Sequence, residues 1–170
     1  MSADTGVERP GKANPLHFER ERGVTQIEVT PGVAHVAARL APETLAHGQL
    51  ALLQALSARQ VPVFMVKLAP DGISFAVRSA HVDAAVTLLT EQRIPFVQRR
   101  DLALVSTIAG AMRDLSGVIA QIYEALILAG VIVRQTGDAY NAVLCLVSGD
   151  DAQKAAAILR ERFHLPAATE

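Results

Sequence analysis

The stretch AGAMRDLSG, residues 109–117, carries the residue types best suited to holding a small ionic ligand. Gly110 and Gly117 let the backbone approach a bound molecule closely, because no Cβ stands in the way. Arg113 and Asp114 supply the opposite charges that the carboxylate and ammonium groups of an amino acid would meet. If the loop leads into a helix, the free N–H groups of the first turn attract that carboxylate as well. A glycine-rich turn with exposed charges accounts for the same residues without a ligand, so the chemistry of the loop alone leaves both readings open.

Catalytic chemistry has far less support. The histidines His17, His35, His47, His81 and His164 are scattered, and no two stand at helical metal-ligand spacing beside a carboxylate. No metal and no cofactor is therefore expected. Asp150 and Asp151 fall at the start of a helical pattern, where acidic groups favour the positive end of the helix dipole. Cys145 is the sole cysteine, which excludes an internal disulfide or a CxxC site. It lies within the apolar run AVLCLV and reads as a small buried thiol. There is no P-loop, no GxGxxG after a strand and no GxSxG elbow. We expect no enzyme here and assign no catalytic residue.

Composition narrows the partners. Hydrophobic residues make up 51% of the 170, there is no Trp, and aromatics amount to 4%. Without exposed rings there is no stacking platform for single strands, and a formal net charge of −1 offers no field for phosphate backbones. Nucleic acid is excluded on both counts, and with it an RNA-binding use of the sheet. Every apolar run is interrupted well before membrane-spanning length, and the polar opening MSADTGVERPGKANP is not a secretory signal. A cytoplasmic protein without a membrane partner is the expectation.

The elements that must position the 109–117 loop come in two similar passes. Displaced by about 70 positions, LLQALSARQVPV falls on IYEALILAGVIV and ISFAV falls on VLCLV. After a polar arm over residues 1–22, alternation predicts strands at 24–29 and 33–40, separated by a turn at Thr30-Pro31-Gly32. A helix over 43–60 follows Pro42, then a strand over 61–68, a tight turn at Pro70-Asp71-Gly72, and a strand over 73–78. Ser79 is the expected N-cap of a helix ending at Gln92, and residues 94–100 form an edge-like strand. The second pass predicts a strand at 102–108, a helix at 117–129 stopped by Gly130, strands at 131–136 and 140–147 turning through Gly137 and Asp138, and a helix at 150–163.

Each pass spells βαββαβ, but the second lacks its last strand while the chain begins with one too many. The strand at 24–29 fills the vacancy most economically, which inserts the first unit into the second. The expected fold is α+β, with two ferredoxin-like units: residues 33–100, and residues 101–165 completed by 24–29.

Residues 105–163 resemble the regulatory half of aspartokinases, in particular the diaminopimelate-responsive type with its GAGMR..PGV loop. The matching positions are Gly110, Met112, Arg113, Gly117, Val118, Gln135, Asp138 and the run Cys145 to Val147; GVTQIEV and PVFMVKLAPDGISFAV resemble the companion unit more loosely. The resemblance implies tandem ACT domains, the first inserted in the second, that sense an amino acid such as lysine, threonine or diaminopimelate. It implies effector sites between ACT domains, from two chains of a homodimer, with an aspartokinase catalytic subunit as a possible partner. By motif position the site would comprise Pro42, Glu43, Thr44, Phe64 and Met65 from the first unit. Ala109, Gly110, Ala111, Met112, Arg113, Gln135 and Thr136 would come from the second. Phe64 stands where these proteins usually carry an Asp that holds the effector's amine, and the first loop reads APETLAHG without the usual PG. A dimerisation module with a decayed effector site is the alternative that these departures suggest.

Overall fold

The computed structural model describes residues 23–110 and 117–166. Ten regular elements alternate along it: β1 (Val24–Arg39), α1 (Leu45–Ala58), β2 (Val63–Ala69), β3 (Gly72–Arg78), α2 (Ser79–Glu91), β4 (Phe96–Ala109), α3 (Val118–Leu128), β5 (Gln135–Ala139), β6 (Ala142–Ser148) and α4 (Ala152–Arg162). Short 3-10 turns, Pro42–Thr44 and Gly149–Asp151, lead into α1 and α4. The fold is α+β, with one six-stranded antiparallel sheet in the order β2-β3-β1-β4-β6-β5.

Two strands are twice the usual length, and that joins the halves. The start of β1 pairs with the end of β4 (Ile27 with Thr107), and the end of β1 pairs with the start of β4 (Val36 with Gln98). The expected turn at Pro31-Gly32 is instead a bend within β1. Pro31 has no N–H to give to a ladder. The register against β4 shifts between Thr30 and Val33, with Gly32 at φ 70. The strands expected at 94–100 and 102–108 are likewise one strand, bent at Asp101, whose φ is 56.

Alternation along each strand feeds separate cores on the two faces. On the helix side, Val36, Ile73, Phe75 and Val77 pack with Leu52, Leu56, Val82 and Leu89 of α1 and α2. A second helix-side core joins Val105, Cys145 and Val147 to Ile122, Leu126 and Leu159 of α3 and α4, with Ile27 from the start of β1. On the opposite face Val33, Ala76, Leu102 and Leu146 form a smaller cluster, with Phe64, Met65 and Leu104 packed against it. This third cluster draws from both halves, so the bent sheet folds its helix-free faces together.

Local signals differ from expectation at three points. Arg78 rather than Ser79 occupies the N-cap of α2, and Ser79 is already helical. The second hairpin turns through Tyr140 and Asn141, not Gly137 and Asp138, because Ala139 pairs with Ala142. β5 accordingly starts at Gln135, later than the expected 131. Gly130 does end α3 in the left-handed region, at φ 72.

Candidate functional site

Gln135 is the meeting point of the two halves. It opens β5 opposite Leu146, and strand alternation turns its side chain to the helix-free face. There its Nε2 donates to the carbonyl of Met65 on β2, although β2 and β5 lie at opposite ends of the sheet order. Its Oε1 lies 2.8 Å from Nε2 of His35 on β1 and 3.1 Å from Oγ of Ser74 on β3. A carbonyl can only accept, so Met65 fixes which end of the amide is nitrogen. The remaining oxygen can only accept, so the His35 Nε2 carries a proton. One side chain of the second repeat is thereby tied to three strands of the first.

Met65 reaches this junction through an irregular backbone. Phe64 pairs with Ala76 and so faces the helix-free cluster, and strict alternation would send Met65 to the other side. A register shift between Phe64 and Lys67, with Met65 at φ 51, brings both consecutive side chains to the same face. The Met65 side chain then rests against Gly137, with Cγ and Cε each 3.5 Å from where a Cβ on that glycine would stand. Met65 and Gln135 are separated by 70 residues, the period of the repeat, so equivalent positions of the two copies touch each other.

The other expected site residues are distributed around this junction. Thr136 points to the helix side, where its Oγ1 accepts from the Tyr123 hydroxyl of α3 at 3.2 Å. Ala109 is buried at the end of β4 and donates its N–H to the Asn141 carbonyl, while Gly110 is exposed. Ala111, Met112 and Arg113 lie outside the described residues. Beyond them Gly117, φ 77, is the N-cap of α3, and no side chain among the described residues caps the helix's first N–H groups. Pro42, Glu43 and Thr44 form the exposed 3-10 turn before α1. That helix is anchored by Gln49, whose Nε2 donates to the carbonyls of Ala69 and Gly72 across the β2–β3 turn. A hollow of about 580 Å³ lies along the same face of the first half, lined by Ala37, Arg39, Gly72, Ser74, Phe96 and Val97. Ser74 belongs to both the hollow and the junction.

His35 and Ser74 were missed as site residues. Alternation along the strand puts His35 on the face opposite Val36, yet nothing in the sequence marks that face as meeting the other half of the sheet. The histidine is half-buried, and burial lowers its pKa below the ordinary 6.5; the bond to Gln135 opposes this and the charge of Arg99 on β4 reinforces it. A base with a depressed folded pKa binds fewer protons folded than unfolded, so its contribution to stability is present above pH 6.5 and lost as pH falls through the folded value. Urea unfolding at pH 7.5 and pH 5.5 is expected to show lower stability at the acid end, and His35→Gln to reduce that difference. Equal pH dependence in wild type and variant would remove His35 from the account. The Cys145 thiol, by contrast, is buried in the helix-side core, and burial pushes its pKa up to about 12, which leaves it unreactive.

Among the described residues no group of three or more histidine, cysteine or acidic side chains could hold a metal ion. No described helix is long and apolar enough to cross a membrane. What the junction offers chemically is a primary amide, an imidazole, a hydroxyl and a strained carbonyl, which suits hydrogen bonding to a small polar molecule.

Residues 98–161 match the family model of the ACT domain. No curated protein matches the chain. Among solved structures, the crystal structure of aspartokinase alpha and beta subunits superposes with a TM-score of 0.78 at 21% identity, over 84% of this chain and 99% of that one. The ligand-free regulatory subunit of aspartate kinase from Thermus thermophilus gives 0.75 at 19% identity, over 85% and 100% of the two chains. Aspartate kinase from Clostridium acetobutylicum gives 0.77 at 20% identity, where the match spans 88% of this chain but only 37% of the kinase. Identities at this level speak for a shared fold. The fold is shared with regulatory subunits of aspartate kinase along their whole length. Residues 98–161 thus match the ACT domain, and the fold of the chain as a whole resembles that of aspartokinase regulatory subunits.

Proposed function

We propose that this chain is a cytoplasmic tandem ACT protein that binds an amino acid of the lysine, threonine or diaminopimelate class and works by allosteric regulation. The first ACT domain, residues 33–100, is inserted in the second, residues 101–165, which residues 24–29 complete. The observation carrying this reading is the superposition over the full length of aspartokinase regulatory subunits, with residues 98–161 matching the ACT model. The strand order supports the insertion: in each half the first and third strands are central, and the start of β1 lies beside β4 as a fourth strand.

The effector site we assign is the loop over Ala109, Gly110, Ala111, Met112 and Arg113 together with Gln135 and Thr136. Pro42, Glu43, Thr44, Phe64 and Met65 form the corresponding site of the first domain. Support for the second-domain site comes from the start of α3 after Gly117, which no side chain among the described residues caps and whose N–H groups and dipole favour a carboxylate. Thr107, on the helix side near the end of β4, also buries a hydroxyl with no partner among the described residues. The biological unit is a homodimer of the diaminopimelate-responsive type, and an aspartokinase catalytic subunit is the regulated partner.

The packing of Phe64 favours a second reading for the first domain alone. Its ring lies against Val33, Ala76, Leu102 and Leu146, where an apolar side chain stabilises the junction and an effector-binding carboxylate would not. The first-domain site would then have become structural. A thermal-shift panel of lysine, threonine, methionine and diaminopimelate tests the proposal. A ligand at a hundred times its Kd stabilises by about 2.7 kcal/mol, which for a chain of this size raises Tm by roughly 5–10 °C. No shift with any member favours the dimerisation module.

A further inference from the structure

We propose that the Gln135 amide is a releasable clamp between the two repeats, and that a ligand which takes this amide loosens the Met65 bulge of the other repeat. The argument starts from occupancy. Both ends of the amide are engaged within the molecule, the nitrogen by Met65 and the oxygen by His35 and Ser74. The oxygen has both lone pairs in use, so it can serve an incoming ammonium group only by leaving His35 or Ser74, and turning toward the ligand draws the nitrogen from Met65.

What it leaves behind is poised to change. Met65 is a non-glycine residue at φ 51 in a strand, a conformation that persists only when its surroundings hold it. Besides the packing against the helix-free cluster, two contacts from β5 hold it: the Gln135 donor on its carbonyl and Gly137 under its side chain. Withdrawing the amide removes the one hydrogen bond from β5 to the Met65 carbonyl, so the state of β5 biases the conformation of β2. Gln135 is only partly buried, and its partner Ser74 lines the hollow on the first repeat, which gives a small molecule a way to the oxygen end of the amide. The two copies are therefore linked at the same position of each, 70 residues apart, and a ligand binding one copy acts on the other by differential affinity for clamped and released states.

This inference rests on the amino-acid-binding reading for its ligand, but the clamp itself can be tested without one. Ser74→Ala removes a small hydroxyl from one end of the amide, and Gln135→Glu keeps an acceptor for His35 and Ser74 but cannot donate to Met65. Hydrogen exchange by mass spectrometry on the full chain should show faster exchange over both 63–68 and 135–139 in each variant. Acceleration confined to the strand that carries the substitution would overturn the clamp, even if amino acids bind. The ligand arm uses lysine, threonine, methionine and diaminopimelate in calorimetric titration. Ser74→Ala should bind the active amino acid roughly three- to tenfold more tightly than wild type, the effect of one hydrogen bond no longer in competition. Equal or weaker binding by Ser74→Ala would overturn the competition. Absence of heat from wild type with all four would refute the binding reading and the ligand's role, while the exchange result still decides the clamp.

Discussion

Replacing Gly72 with alanine is expected to destabilise this protein by about 3 kcal/mol or more, the upper end of what overpacking costs. The reason is a backbone contact rather than a dihedral preference. A Cβ on Gly72 would stand 1.9 Å from the carbonyl oxygen of Ala38, which no side-chain rotation can relieve. The neighbouring chain cannot yield easily either. Gly72 pairs with Arg39, the Leu40 N–H is bonded to the Asp71 carbonyl, and Gln49 holds the Gly72 carbonyl from α1. Shifting β1 away from β3 would also open the core around Phe75 and Val36. Gly117→Ala is the control: its φ is 77, but nothing lies within 4 Å of an added Cβ. Only the left-handed penalty of about 1–2 kcal/mol applies there. Urea denaturation of both variants checks the contrast, and a Gly72→Ala protein no weaker than Gly117→Ala would show that the β1–β3 contact is not as tight as described.

Leu146→Ala is the second large effect, expected at about 2–5 kcal/mol from lost burial plus the cavity left behind. Leu146 is fully buried on the helix-free face, among Val33 and Ala76 of the first half and Leu102 of the second. Because β1 and β4 run through both halves, neither half can collapse onto the cavity independently. For a chain of this size the loss corresponds to a fall in Tm on the order of 10 °C. The transition should stay single, with fluorescence-independent probes such as far-UV circular dichroism and calorimetry agreeing, since the third core belongs to both repeats. Two separate transitions in the variant would mean that the repeats fold as independent units.

The repeat and its elements were legible because they rest on local pattern. Period-2 runs such as ISFAV and VLCLV can bury one face only as strands, and Pro70-Asp71 between apolar runs can only turn. The extra strand at the N-terminus followed from counting alone, and its neighbour is β4, as the register of Ile27 with Thr107 records. Continuity was not legible. Pro31-Gly32 has the composition of a turn, but pairing on both sides of it makes it a bend in one long strand. The hairpin at Tyr140-Asn141 was misplaced for a related reason: Gly137 looks like a turn residue, yet it pairs with Leu144 inside β5, with Met65 of the other repeat beside it.

The candidate site was half legible in the same sense. Gln135, Met65 and Phe64 entered through a family resemblance, and the structure brings these three to one face. His35 and Ser74 carried no signal, because a histidine and a serine on an exposed strand face are ordinary until the other half of the bent sheet meets them. The left-handed Met65 was hidden too, since methionine is not a residue that announces a bulge.

The central claim is that an amino acid binds this chain through Gln135. Isothermal titration of the full chain with lysine, threonine, methionine and diaminopimelate, repeated on Gln135→Leu, measures it directly. One of the four is predicted to give a saturable heat, and Gln135→Leu to weaken that binding on the order of ten- to a hundredfold, the loss of a hydrogen bond to a charged group. No heat from any of the four, or an unchanged affinity in Gln135→Leu, would contradict it.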